Sequence, residues 1–170
     1  MTKSKKFTQT PSRILGIDPG YGRVGIAIIE KTNLGEKLVY SECFETSDKI
    51  SHPERLSQIS LQIEGICNKF KPDKMAIETL LFSKNVKTAI KVAEARGVIL
   101  AAVAKRKINI FEFNPNTVKL AVTGYGKSDK KQIINMIEKL LNIRYKIKHD
   151  DEYDAIALAL TCSATKEFMK

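Results

Sequence analysis

The chain opens with apolar runs too short for helices. Ser12–Asp18 (S-R-I-L-G-I-D) is apolar and β-branched and is closed by Pro19-Gly20, which predicts a strand. Val24–Glu30 predicts a second strand, and Lys37–Phe44 a third after the turn at Asn33-Leu34-Gly35. Links this short predict an antiparallel meander. From His52-Pro53 the period changes: Leu56, Ile59, Ile63 and Ile66 recur every three or four residues, the spacing of a helix with one buried face. Pro72-Asp73 ends it, and Lys74–Glu78 (K-M-A-I-E) reads as a short buried strand. Val86–Ala104 is helical again, with Gly97 inside it as a candidate for a close crossing. Ile108–Phe113 predicts a fifth strand and Pro115–Val122 a short helix. After a loop at 123–127, Ser128 or Asp129 can cap a helix striped by Ile133, Ile134, Ile137, Leu140 and Leu141. Residues 142–150 read as a polar loop, and the last helix starts near Asp150 and runs almost wholly apolar through Cys162.

Helical crossovers force strands four and five to lie parallel to their neighbours. The expected fold class is therefore α/β, a mixed five-stranded sheet with helices on both faces. A basic tail over 1–12 is expected to precede a single domain over 13–170.

Composition narrows the class. At 170 residues the chain can bury one core without a disulfide framework. Its three cysteines, Cys43, Cys67 and Cys162, are widely spaced and read as reduced thiols of a cytoplasmic protein. No apolar run approaches the ~18–20 residues of a membrane helix, and the N-terminus lacks the apolar segment of a secretory signal. The net charge is +10, and its placement says more than its sum. Residues 84–149 hold fifteen Lys and Arg against four acids, whereas the remainder holds fourteen bases against fifteen acids. The excess is either a solvated lysine face or a surface that tracks phosphates, whose affinity would fall with salt.

Four acids stand where charge is expensive. Asp18 ends the first apolar strand, Glu78 ends the fourth, and Asp151 and Asp154 open the last helix three residues apart, on one face. Each has a plain reading. Asp18 before Pro-Gly suits an Asx turn, Glu78 can point to water at a strand end, and a helix N-terminus favours acids such as Asp150 and Glu152. Taken together the four read differently. If strands one and four are adjacent, both strand-end carboxylates emerge at one sheet edge, and the last helix can bring two more over it. Clustered carboxylates raise one another's pKa unless cations neutralise them. An oxygen-only set suits Mg²⁺ or Mn²⁺ rather than Zn²⁺, and two such ions ~4 Å apart suit phosphodiester hydrolysis.

These motifs occur in a recognisable order: I-L-G-I-D-P-G (14–20), A-I-E-T-L-L-F-S-K-N (76–85), E-A-R-G (94–97) and D-E-Y-D-A-I-A-L-A (151–159). Their order and spacing over about 13–163 resemble the RuvC family of Holliday-junction resolvases, whose fold is ribonuclease H-like. The resemblance implies a homodimer that binds four-way junction DNA and nicks two strands symmetrically, with branch-migration proteins as further partners. It places Asp18, Glu78, Asp151 and Asp154 on the family's catalytic, metal-binding carboxylates, which implies two Mg²⁺ ions (Mn²⁺ substituting) per site. Lys119 and Lys130 fall on positions where the family sets DNA-contacting bases near the scissile phosphate. Leu81 stands where the family usually has an aromatic residue that wedges junction bases, and Phe82 follows it. Leu81, Phe82, Lys84, Asn85, Lys127 and Lys131 complete the expected DNA-binding set. Two other readings remain: a non-catalytic, structure-specific DNA-binding module, and a ribonuclease H-like nuclease with another nucleic-acid substrate. An actin-like phosphotransferase also opens on G-I-D-x-G, but that fold needs two such domains.

Overall fold

The computed structural model describes residues 11–79 and 86–165. Its elements are β1 (Ser12–Asp18), β2 (Arg23–Thr32), β3 (Gly35–Glu45), α1 (His52–Phe70), β4 (Lys74–Glu78), α2 (Val86–Ala104), β5 (Asn109–Phe113), α3 (Pro115–Thr123), α4 (Lys130–Leu140) and α5 (Asp150–Ala164). The strands form one sheet in the order β3-β2-β1-β4-β5. β1, β2 and β3 pair antiparallel, while β4 joins β1, and β5 joins β4, in parallel. The mixed five-stranded sheet is the expected one, with β1 and β4 central and adjacent. The N-terminal tail lies outside the described residues up to residue 10, and Ser12 already pairs with Lys31 in the sheet.

Alternation along each strand assigns its side chains to two cores. Leu15 and Ile17 of β1, Val24, Ile26 and Ile28 of β2, and Met75 and Ile77 of β4 pack against α1 and α2. Ile14 of β1, Ala27 and Ile29 of β2, and Ala76 of β4 pack against the other face, under α3, α4 and α5. By the same alternation Gly16 and Asp18 lie on the α5 face. α5 is buried almost throughout from Glu152 to Ser163, as its continuous apolar sequence requires of a helix lying flat on a sheet.

The hairpin of β2 and β3 runs further than its apolar pattern, to Thr32 opposite Gly35. Apolar patterning stops where the ribbon leaves the core, but the hydrogen-bonded ladder continues through polar residues. Between the two α4 caps left open by sequence, the structure chooses Asp129, whose carboxylate accepts from the Gln132 backbone N–H while its own backbone N–H donates to the Gln132 side-chain oxygen. Ser128 is buried and turns inward to Thr123 and Tyr125. Gly97 departs from expectation. A Cβ built there meets nothing within 4 Å, so no close crossing within the described residues requires it.

Gly16 and Gly25 are the glycines that bring α5 down. A Cβ on Gly16 would stand 2.0 Å from the Ala155 carbonyl oxygen, and one on Gly25 would stand 2.0 Å from that of Asp151. Both obstacles are helix backbone and cannot turn aside. Gly16→Ala is therefore expected to lower stability by ~1–3 kcal/mol in urea unfolding through overpacking. Gly65→Ala, on the open face of α1, is expected to raise it by ~0.5–1 kcal/mol. Equal effects at the two sites would contradict this account of α5 packing.

Candidate active site

β1 and β4 run side by side with Ile17 opposite Ile77, so Asp18 and Glu78 follow in step at the same sheet edge. Adjacent strands lie ~4.8 Å apart, which makes these carboxylates neighbours. Asp18 also faces Gly25 across β2, and the absent Gly25 side chain leaves room for the first turn of α5. That turn carries Asp151 and Asp154, both half-buried. The structure thus brings together all four carboxylates singled out in the sequence.

Their electrostatics are those of crowded like charges. The Asp18 carboxyl is pushed up to about 7, chiefly by burial and then by Asp154, Glu78 and Asp151, with Lys130 opposing. Burial, then Asp154, also raises the Glu78 carboxyl, again against Lys130. Among the described residues no three of the four bring oxygens within 4.8 Å of one another, so the set is an open rim. Cations would relieve the repulsion, and hard oxygen donors without nitrogen or sulfur suit Mg²⁺ or Mn²⁺. The residues present therefore fit the divalent ions that the sequence implied.

Two expected lysines reach the rim. Lys130 pairs with Asp154 through its Nζ. It is the first residue of α4, where the helix dipole disfavours a cation, so its pairing partner offsets an unfavourable placement. Lys119 of α3 lines a cavity of about 160 Å³ together with Glu78, Asp154, Pro115 and Ile133. Lys127 and Lys131 are exposed on either side of the α4 cap, and neither is brought to the carboxylates by a recorded contact. Leu81, Phe82, Lys84 and Asn85 lie outside the described residues. Of the acids read as helix-terminal, Asp150 is exposed, but Glu152 is buried and accepts a hydrogen bond from Ser41 at 2.6 Å.

Other supporting residues were not singled out in the sequence. Arg96 donates to the Glu78 carbonyl at 3.2 Å and pairs with Glu112, bracing the end of β4. The Arg55 guanidinium lies 3.8 Å above the Tyr21 ring and donates to Thr46 at 2.9 Å, bracing the loop after Asp18. Arg96 belongs to the E-A-R-G motif and was legible there. Arg55 looks like any helix-surface arginine in sequence.

A family model described as Crossover junction endodeoxyribonuclease RuvC matches residues 14–162. The chain belongs to the RuvC family. The crossover junction endodeoxyribonuclease RuvC of Thermotoga petrophila is 45% identical over 147 residues, covering 86% of this chain and 89% of that protein. That of Halothermothrix orenii is 44% identical over 147 residues, with 86% and 89% covered. The structure of T. thermophilus RuvC in complex with a Holliday junction substrate superposes with a TM-score of 0.85 at 27% identity, covering 89% of this chain and 93% of that one. The RuvC fold is ribonuclease H-like, and the strand order and helix placement here are those of that fold. Among the described residues no helix is long and apolar enough to cross a membrane.

The raised Asp18 carboxyl has a thermodynamic consequence. The folded chain holds this proton more tightly than the unfolded chain, so metal-free stability falls as pH rises from about 4 to about 7. Asp18→Asn removes that dependence. In chelator, the variant is expected to be ~1–3 kcal/mol more stable than the native chain at about pH 8, and to lose the advantage near about pH 4. Urea midpoints at the two pH values measure it, and an unchanged pH slope in the variant would contradict the burial of Asp18 among like charges.

Proposed function

We propose that this chain cuts four-way DNA junctions by metal-dependent phosphodiester hydrolysis at the carboxylate rim. The observation that carries this reading is the convergence of Asp18, Glu78, Asp151 and Asp154 on one sheet edge, with Lys119 and Lys130 beside them. It is supported by the RuvC family membership and by the likeness to a RuvC bound to junction DNA.

Asp18, Glu78, Asp151 and Asp154 would hold Mg²⁺, with Mn²⁺ able to substitute. Bound there, divalent ions supply charge neutralisation at the phosphate and a lowered water pKa. The chain's own groups do the rest. Lys130 is held at the rim by Asp154 and can exchange that partner for a phosphate oxygen as DNA enters. Lys119 lines the cavity that Glu78 and Asp154 also line. Fixed cations in these positions stabilise charge that develops on the phosphoryl oxygens. Glu78 and Asp18 are anchored on strands rather than loops, which keeps the donor set rigid.

The described chain holds one such rim, and symmetric nicks on two strands need two. The active unit is therefore a homodimer. In this reading the lysine-rich span 84–149, with Lys84, Asn85, Lys127 and Lys131, tracks the arms, and Leu81 and Phe82 are assigned to contact with junction bases. Free Cys43, Cys67 and Cys162 suit the reducing cytoplasm.

The test is a synthetic junction labelled on each arm and incubated with Mg²⁺. Paired symmetric nicks are expected from the native chain. Asp18→Asn should lose cleavage by ~10³-fold or more while junction affinity stays within about threefold. Retained cleavage in the variant would sink the site assignment, and binding without cleavage by the native chain would favour a non-catalytic module. Lys130→Ala should lower the cleavage rate by ~10–10³-fold with a smaller change in affinity, and an unchanged rate would remove Lys130 from the chemistry.

A further inference from the structure

The α5 face of the sheet carries a second cluster, beside the rim and of different chemistry. Gly25 pairs with Asp18 on one side and with Cys43 on the other, so Asp18, Gly25 and Cys43 form one row across three strands. Cys43 and Glu45 are two apart on β3 and share a face. The turn that enters α5 descends on this face and sets His149 against them. One ligand atom from each of Cys43, Glu45 and His149 lies within 4.8 Å of the others. The Cys43 Sγ also lies 3.7 Å from Asp151 Oδ2 and donates to it.

The donor set is sulfur, imidazole and carboxylate, which separates it from the all-oxygen rim. Thiolate and imidazole select zinc-class ions over Mg²⁺. At ligand lengths of ~2.0–2.3 Å, tetrahedral coordination places donor atoms about 3.3–3.8 Å apart. The Cys43–Asp151 separation of 3.7 Å already meets that, the Cys43, Glu45 and His149 donors lie within 4.8 Å of one another, and closure of the set draws these side chains and Asp151 inward. The groups are free to move. His149 holds the N-cap position of α5 but makes no side-chain capping bond. Among the described residues Glu45 pairs with Arg23, at 2.9 Å, and both side chains are more than half exposed, so the pair holds it weakly.

We propose that Cys43, Glu45 and His149 form a binding site for a zinc-class transition-metal ion, with Asp151 as fourth ligand, and that occupancy of this site withdraws Asp151 from the Mg²⁺ rim. On binding, the Cys43 S–H bond breaks, a sulfur–metal bond forms, and the proton leaves to solvent. No electrons change hands. The consequence is inhibition of junction cleavage by Zn²⁺ in the presence of excess Mg²⁺. The site stands on its own geometry, whereas the inhibition rests on the function proposed above.

Two measurements on the full chain under a non-thiol reductant test this. First, equimolar Co²⁺ should give the near-ultraviolet thiolate-to-cobalt charge-transfer band. The other cysteines, Cys67 and Cys162, are buried at 3% and 2% exposure and cannot supply it without unfolding. The band should vanish in Cys43→Ala, and Co²⁺ affinity should fall by about tenfold or more in His149→Ala. Circular dichroism verifies that both variants fold, and Cys43→Ser serves as a second thiol-free variant. Second, low Zn²⁺ should suppress Mg²⁺-dependent cleavage by the native chain and spare Cys43→Ala. Absence of the band, or its persistence in Cys43→Ala, overturns the site. A band with equal Zn²⁺ inhibition of both chains overturns the link through Asp151. If neither chain cuts junctions in Mg²⁺ alone, the nuclease reading fails, and the cobalt spectrum still decides the site.

Discussion

Everything at the rim depends on how closely α5 lies against the sheet. Side chains normally hold a helix about 10 Å from a sheet, but here Gly16 and Gly25 let the α5 backbone touch the backbone of β1 and β2. Asp151 and Asp154 ride on the turn that this contact lowers, and they meet the two strand-end carboxylates from above. The buried run from Ala155 to Cys162 supplies the apolar area that keeps the helix in place. Packing thus drives together charges that repel one another.

That repulsion is the cost of the arrangement. Burial and three like charges push the Asp18 proton up to about 7, and a single lysine, Lys130, opposes them from the start of α4. A site optimised for stability would not be built this way. Local rules are broken where function needs them, and the buried core on both sheet faces offsets the loss. Under the proposed function the rim would recover its charge balance as cations and a phosphate backbone arrive, and the lysine excess of span 84–149 would supply the long-range part of that attraction.

Much of this was legible in the chain. Period-two runs followed by period-three-and-four runs gave the element order, and short links against long ones separated antiparallel from parallel strands. Asp18 and Glu78 stood out because each ends an apolar strand, and Asp154 because it abuts an apolar helix. Other features depend on tertiary distance. Glu152 reads as a helix-terminal acid until the fold sets it against Ser41, 111 residues away. Cys43 and Asp151 are 108 residues apart, and nothing local to either marks the contact. The hairpin ends ran past the apolar pattern because ladder bonds do not need apolar side chains. Gly97 suggested a close crossing, although a helix-interior glycine signals one only when something lies against it.

The central claim is that glycine-mediated contact between α5 and the sheet assembles the metal rim. Gly25→Ala tests it, because the variant keeps every carboxylate and every lysine and places a methyl group against the Asp151 backbone, where the α5 turn descends, and beside the Asp18 Cβ. Calorimetric titration with Mn²⁺ in Cys43→Ala backgrounds, with and without Gly25→Ala, reads the rim alone. The account predicts that Mn²⁺ affinity falls by about tenfold or more when Gly25 is replaced, in a chain that circular dichroism shows to be folded. Native Mn²⁺ affinity in the folded Gly25→Ala chain would contradict it.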